Sequence, residues 1–82
     1  MTRILKYRLA EREVQTVPGH VLAVGWQQSE LTVWCAVEEP NQPVEIAVLP
    51  TGGYPPDDGR YVGTAVSDAL GLVFHVYERI EP

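Results

Sequence analysis

The stretch Leu31-Thr-Val-Trp-Cys-Ala-Val37 decides the fold class. Its odd positions, Leu31, Val33, Cys35 and Val37, are apolar and fall on one side of an extended chain, while Thr32, Trp34 and Ala36 fall on the other. A period of two is the signature of a strand with one face against a core. The same period recurs outward from this segment. Val44, Ile46 and Val48 alternate with Glu45 and Ala47, and Leu72, Phe74 and Val76 alternate with Val73, His75 and Tyr77. Towards the N-terminus, Leu5, Tyr7 and Leu9 alternate with Lys6 and Arg8, and Val21 to Trp26 is nearly continuous in apolar character, as a central strand would be. Arg60-Tyr-Val-Gly-Thr64 completes a set of about six strands.

No segment sustains the i, i+3, i+4, i+7 apolar pattern of a helix. Good helix formers cluster only in Thr2 to Glu13, which leaves one short N-terminal helix as the alternative, an α+β variant of an otherwise all-β chain. Short strands punctuated by Gly and Pro predict a small antiparallel sandwich or barrel. Pro18-Gly19 fits a type II turn with glycine at positive φ, and Gln27-Gln28-Ser29 fits a hairpin.

The chain has 82 residues, with seven Gly and seven Pro, and forms a single domain over 1–82. So short a chain builds a thin core, and covering further surface by self-association would add stability. Hydrophobic residues at 45% and charged residues at 21% are ordinary globular values and argue against a disordered chain. The net charge is -5, so binding of duplex nucleic acid through phosphate neutralisation is not expected. The charge is uneven. Arg3, Lys6, Arg8 and Arg12 open the chain, whereas beyond Glu13 only Arg60 and Arg79 stand against Glu30, Glu38, Glu39, Glu45, Asp57, Asp58, Asp68, Glu78 and Glu81. Solvated faces account for this excess; an acidic surface that mimics nucleic acid or docks on a basic protein is the sharper alternative.

Cys35 is the one cysteine, which excludes an internal disulfide and every cysteine-cluster zinc site. On an apolar face it reads as a buried, inert thiol. No apolar run approaches the length of a membrane span, and no basic-then-apolar leader opens the sequence, so a soluble, intracellular protein is expected. No nucleophile, acid/base pair or metal-ligand spacing is evident, and we expect no enzyme activity, no metal and no cofactor. Asp57 and Asp58 are adjacent, point apart in extended chain, and suit a turn.

Binding residues are expected in two places. One is the segment from Thr51 to Thr64, where Thr51, Gly52, Tyr54, Arg60, Tyr61 and Thr64 lie in or beside a long Gly- and Pro-rich loop. Thr51-Gly-Gly53 could turn backbone N–H groups towards an anion, although no phosphate-binding motif surrounds it and two stacked turns explain the loop as well. The other is the outward row His75, Tyr77 and Arg79, spaced at roughly 7 Å along the last strand. Such a row suits a nucleotide or a partner protein, and it also suits plain cross-strand pairing on an exposed face. Trp34, on the outer side of its strand, is either covered or part of an interface.

Six segments together resemble a family of small uncharacterised proteins of bacteriophages and bacteria. They are Ile4-Leu-Lys-Tyr-Arg-Leu9, Val17-Pro-Gly-His-Val-Leu22, Leu31 to Val37, Leu49-Pro-Thr-Gly52, Tyr61-Val-Gly-Thr64 and Gly71-Leu-Val-Phe-His-Val-Tyr-Glu78. The Tyr-Val-Gly-Thr and Phe-His-Val-Tyr-Glu segments are the most specific of these. The family carries no assigned activity. The resemblance implies a phage or prophage accessory protein in the host bacterial cytoplasm, acting by binding and inhibiting a host defence protein. An oligomeric sponge that sequesters a small nucleotide or metabolite signal is the alternative, and a homo-oligomer is expected in either case.

Overall fold

The computed structural model describes residues 2–10 and 14–79, and these are all-β. Seven strands follow in order: β1 (Thr2–Arg8), β2 (Val14–Val17), β3 (His20–Gln27), β4 (Glu30–Glu38), β5 (Val44–Pro50), β6 (Gly59–Ser67) and β7 (Leu72–Arg79). They make two antiparallel sheets, one ordered β1-β4-β3 and the other β2-β5-β7-β6. The sheets face each other as an open sandwich rather than a closed barrel. Val14 to Val17 forms a strand of its own, one more than the six expected.

The period-two pattern explains the layers. Val33, Cys35, Ile46 and Val76 are fully buried between the sheets, joined by Val21, Leu31, Val37, Val48 and Ala65. Phe74 faces the same way but is half-buried, so it borders this core rather than filling it. Trp26 also borders it and packs at a tilt on Phe74, with ring centroids 6.1 Å apart.

Thr2 to Arg8 is a strand, not a helix, because only an extended chain places Leu5 and Tyr7 together against Cys35 and Val33 of β4. Residues 11–13 of the alternative helix lie outside the described residues, as does Arg12.

β3 also departs from expectation. It lies at the edge of its sheet rather than the centre, and its register shifts between Val21 and Ala23. The extra residue, Leu22, is left exposed, while Val21 faces the core beside Val24 and Trp26. A bulge changes which parity points inward, so a strict alternation rule mis-assigns one half of the strand.

Gly19 does not take positive φ; the glycines that do are Gly52 and Gly71. It is glycine for space. A Cβ there would lie 2.1 Å from the backbone oxygen of Ala36, so the turn entering β3 presses directly on β4. The β3–β4 hairpin closes through Gln28 and Ser29, both at positive φ between the paired Gln27 and Glu30.

Candidate functional site

On β7, alternation sends Phe74, Val76 and Glu78 inward and His75, Tyr77 and Arg79 outward. Register then sets their neighbours. His75 stands between Leu49 of β5 and Thr64 of β6, Tyr77 stands between Ala47 and Tyr61, and Arg79 pairs with Gly59. The outer face of the second sheet therefore gathers expected residues from three parts of the chain.

His75 is held from both sides. Its Nε2 lies 2.9 Å from Thr51 Oγ1, and its Nδ1 lies 2.9 Å from Thr64 Oγ1. Thr64 Oγ1 in turn lies 2.6 Å from the Tyr61 hydroxyl. The result is a hydrogen-bonded chain, Thr51–His75–Thr64–Tyr61, in which each hydroxyl can donate or accept. The Tyr61 ring meets Tyr77 edge to face, with centroids 5.5 Å apart. Both ring nitrogens of His75 are thus engaged, and the aromatic rings are fixed relative to the imidazole.

The loop is two turns. Gly53 N–H donates to the Pro50 carbonyl and Gly59 N–H to the Pro56 carbonyl, each at 3.0 Å. Gly52 takes positive φ at the tip of the first. The Gly53 N–H is committed to its turn and is not free for an anion. Tyr54 projects beyond it, 91% exposed.

Besides Gly52 and Tyr54, three more expected residues do not join this face. Arg79 lies beside it, but its guanidinium is taken up by Glu45 at 2.9 Å and Asp58 at 3.5 Å. Trp34 is on the other sheet, half-buried on its outer face, where it lies over Gly25. Arg60 faces inward, with its Nη2 2.9 Å from Glu78 Oε2.

Glu78 is the residue that sequence reasoning missed. It is 7% exposed, a carboxylate on the core side of β7. Its Oε2 accepts from the Val21 N–H at 2.7 Å and lies 2.9 Å from His20 Nδ1. Arg60 Nη2 lies 3.2 Å from His20 Nδ1 and 3.3 Å from its Nε2, against both ring nitrogens, so His20 and Arg60 meet around the same carboxylate. One carboxylate on the second sheet therefore ties down the bulged start of β3 on the first. Its signal was in the sequence, since Glu78 shares the parity of Phe74 and Val76.

A second feature opens at the end of the sandwich near the β3–β4 turn. It is a cleft of about 1220 Å³, lined chiefly by Leu9, Trp26, Leu31, Tyr54, Leu72 and Phe74, with Arg8 at its margin. Arg8 is itself bonded to Glu30. Among the described residues, no three His, Cys, Asp or Glu side chains gather as a metal site would require. Among the described residues, too, no helix is long and apolar enough to cross a membrane.

A two-sheet β domain with an ordered polar and aromatic face is a scaffold class that hosts many functions. The family model for the domain of unknown function DUF7352 matches residues 1–82, and the chain belongs to that family. No curated protein and no solved structure matches it.

Proposed function

We propose that this is a binding protein without catalytic activity, which engages a protein partner through the outer face of the β2-β5-β7-β6 sheet. The observation that carries this reading is the chain Thr51–His75–Thr64–Tyr61 with Tyr77 packed on its aromatic end. Side chains held rigid before contact lose little entropy on binding, and tyrosine is among the residues enriched at interface hot spots. Charge favours a protein over an anionic ligand. Arg8, Arg60 and Arg79 are each paired with a carboxylate within the fold, which leaves them less free to face a phosphate.

The resemblance to phage and bacterial proteins supports the finer form of this proposal: a phage-encoded accessory protein that inhibits a host defence protein in the bacterial cytoplasm. The second reading, sequestration of a small nucleotide or metabolite, rests on the cleft. Its mainly apolar lining suits a flat apolar ligand better than a phosphate-bearing one.

Affinity capture from a host lysate, run in parallel with Tyr61→Ala/His75→Ala/Tyr77→Ala, tests the proposal. The expected result is a host protein retained by the parent chain and lost on the folded triple variant. Retention undiminished by the triple variant would remove this face as the site. Thermal stabilisation by a nucleotide would shift the reading to sequestration, since a ligand at about 100 times its dissociation constant adds about 2.7 kcal/mol.

A further inference from the structure

The two sheets end in β1 and β3, and in β2 and β6. A free sheet edge is a template for pairing unless something blunts it, and three of these edges are blunted. β2 has four residues. β3 is bulged after Val21, whose N–H is already bonded to Glu78. β6 is bulged between Tyr61 and Gly63, and it lies so close to β3 that a Cβ on Gly63 would be 2.9 Å from Val24 Cγ1. β1 differs from all three. It runs for seven residues in unbroken register with β4, without proline or bulge, and Ile4 on it is 68% exposed.

Two of the three cations on β1, Lys6 and Arg8, do not guard its edge. Lys6 Nζ reaches across β4 to Gln27 Oε1 on β3, at 2.6 Å, and Arg8 bonds Glu30. Both cations lean inward over the sheet, away from the free side.

We propose that β1 pairs with β1 of a second copy of this chain, antiparallel about a two-fold axis at Leu5, to make one continuous six-stranded sheet. Bonding parity fixes the register. Leu9 N–H donates to the Leu31 carbonyl of β4, so the odd residues of β1 point their backbone groups at β4. The even residues, Thr2, Ile4, Lys6 and Arg8, point theirs outward. An axis at Leu5 places Thr2 against Arg8 of the second copy and Ile4 against Lys6 of the second copy, using all the outward groups. On the core-facing side it sets Arg3 against Tyr7 of the second copy, a cation beside an aromatic ring. No like charges stand opposite. A shift of two residues one way sets Lys6 against Lys6, and the other way leaves Arg8 unpaired.

This proposal is independent of the face assigned above, which lies on the other sheet. Sedimentation velocity on the whole chain, across a concentration series, tests it. A monomer–dimer equilibrium is expected for the parent. Ile4→Pro removes an outward N–H, and Ile4→Lys sets like charges together at position 6 of the second copy. Each should weaken dimerisation at least roughly tenfold, about 1.4 kcal/mol, with an unchanged circular dichroism spectrum. If Ile4→Pro does not fold, Ile4→Lys decides. Val66→Lys, on the exposed outer face of β6, should leave the dimer intact. A parent that stays monomeric at the highest concentration overturns the proposal. So does a dimer that survives the folded Ile4 variants or is lost with Val66→Lys.

Discussion

At the scale of single residues, what matters is which side of a strand a side chain occupies. Cys35 and Glu78 make the point from opposite directions. Cys35 looks like an ordinary apolar position and is one, fully buried at the centre of β4. Burial pushes its thiol pKa up, and the negative charge of Glu78 adds to the shift. A thiol in that condition stays protonated and is a poor nucleophile. The shift also makes stability depend on pH. The folded pKa lies above the unfolded value of about 8.5, so this contribution is complete below that pH. It is lost as pH rises through the folded value, because the unfolded chain ionises more readily. We predict that the denaturation midpoint of the parent falls between neutral and alkaline pH more steeply than that of Cys35→Ala. Parallel slopes for the two proteins in urea titrations would contradict the assignment. Glu78, by contrast, looks like one of many surface carboxylates and is not. An inward parity position is where a charge needs partners, and Val21, His20 and Arg60 supply them.

At the scale of elements, alternation located β4, β5 and β7 and gave the correct face for each. It was less reliable where a strand is irregular, as the bulge in β3 shows. The β3–β4 hairpin was legible from Gln27 to Ser29, but its cost was not. Two residues at positive φ, Gln28 at 52° and Ser29 at 65°, describe a two-residue turn of the type that favours Asn-Gly. Non-glycine residues in that region carry roughly 1–2 kcal/mol of strain each. Replacing the pair, Gln28→Asn with Ser29→Gly, should raise stability by about 1 kcal/mol, visible as a higher melting temperature with no change in spectrum. A lower melting temperature would mean that the parent side chains make up the difference through contacts of their own.

At the scale of the whole molecule, stability depends on how two thin sheets are joined. A core of mainly Val, Ile, Leu and Ala side chains fills the interior, and Glu78 bridges the side where β3 meets β6. Removing the carboxylate leaves the Val21 N–H and the Arg60 guanidinium without their acceptor. We predict that Glu78→Ala costs roughly 1–3 kcal/mol, the usual penalty for orphaning buried polar groups. The loss should appear in one cooperative transition followed by both fluorescence and circular dichroism, because neither sheet holds a core alone. Two separate transitions would show that the sheets unfold independently.

The amino-acid sequence by itself determined that this chain is all-β, which faces of β4, β5 and β7 are apolar, and that its thiol is buried. These are local properties, set by a side-chain period of two and by where Gly and Pro stand, and they need no knowledge of what pairs with what. It also carried the His75–Tyr77–Arg79 row, because three residues on one strand share a face by geometry alone. Only the tertiary structure decided that Thr51 and Thr64 close on His75 while Arg79 is drawn to Glu45 and Asp58. It alone decided that Arg60 turns inward to Glu78, and that β1 rather than β6 is left with an open edge. Those outcomes depend on which strands are neighbours and where a register slips by one residue. The chain closes such pairings over long separations in sequence, and a one-dimensional period does not encode them.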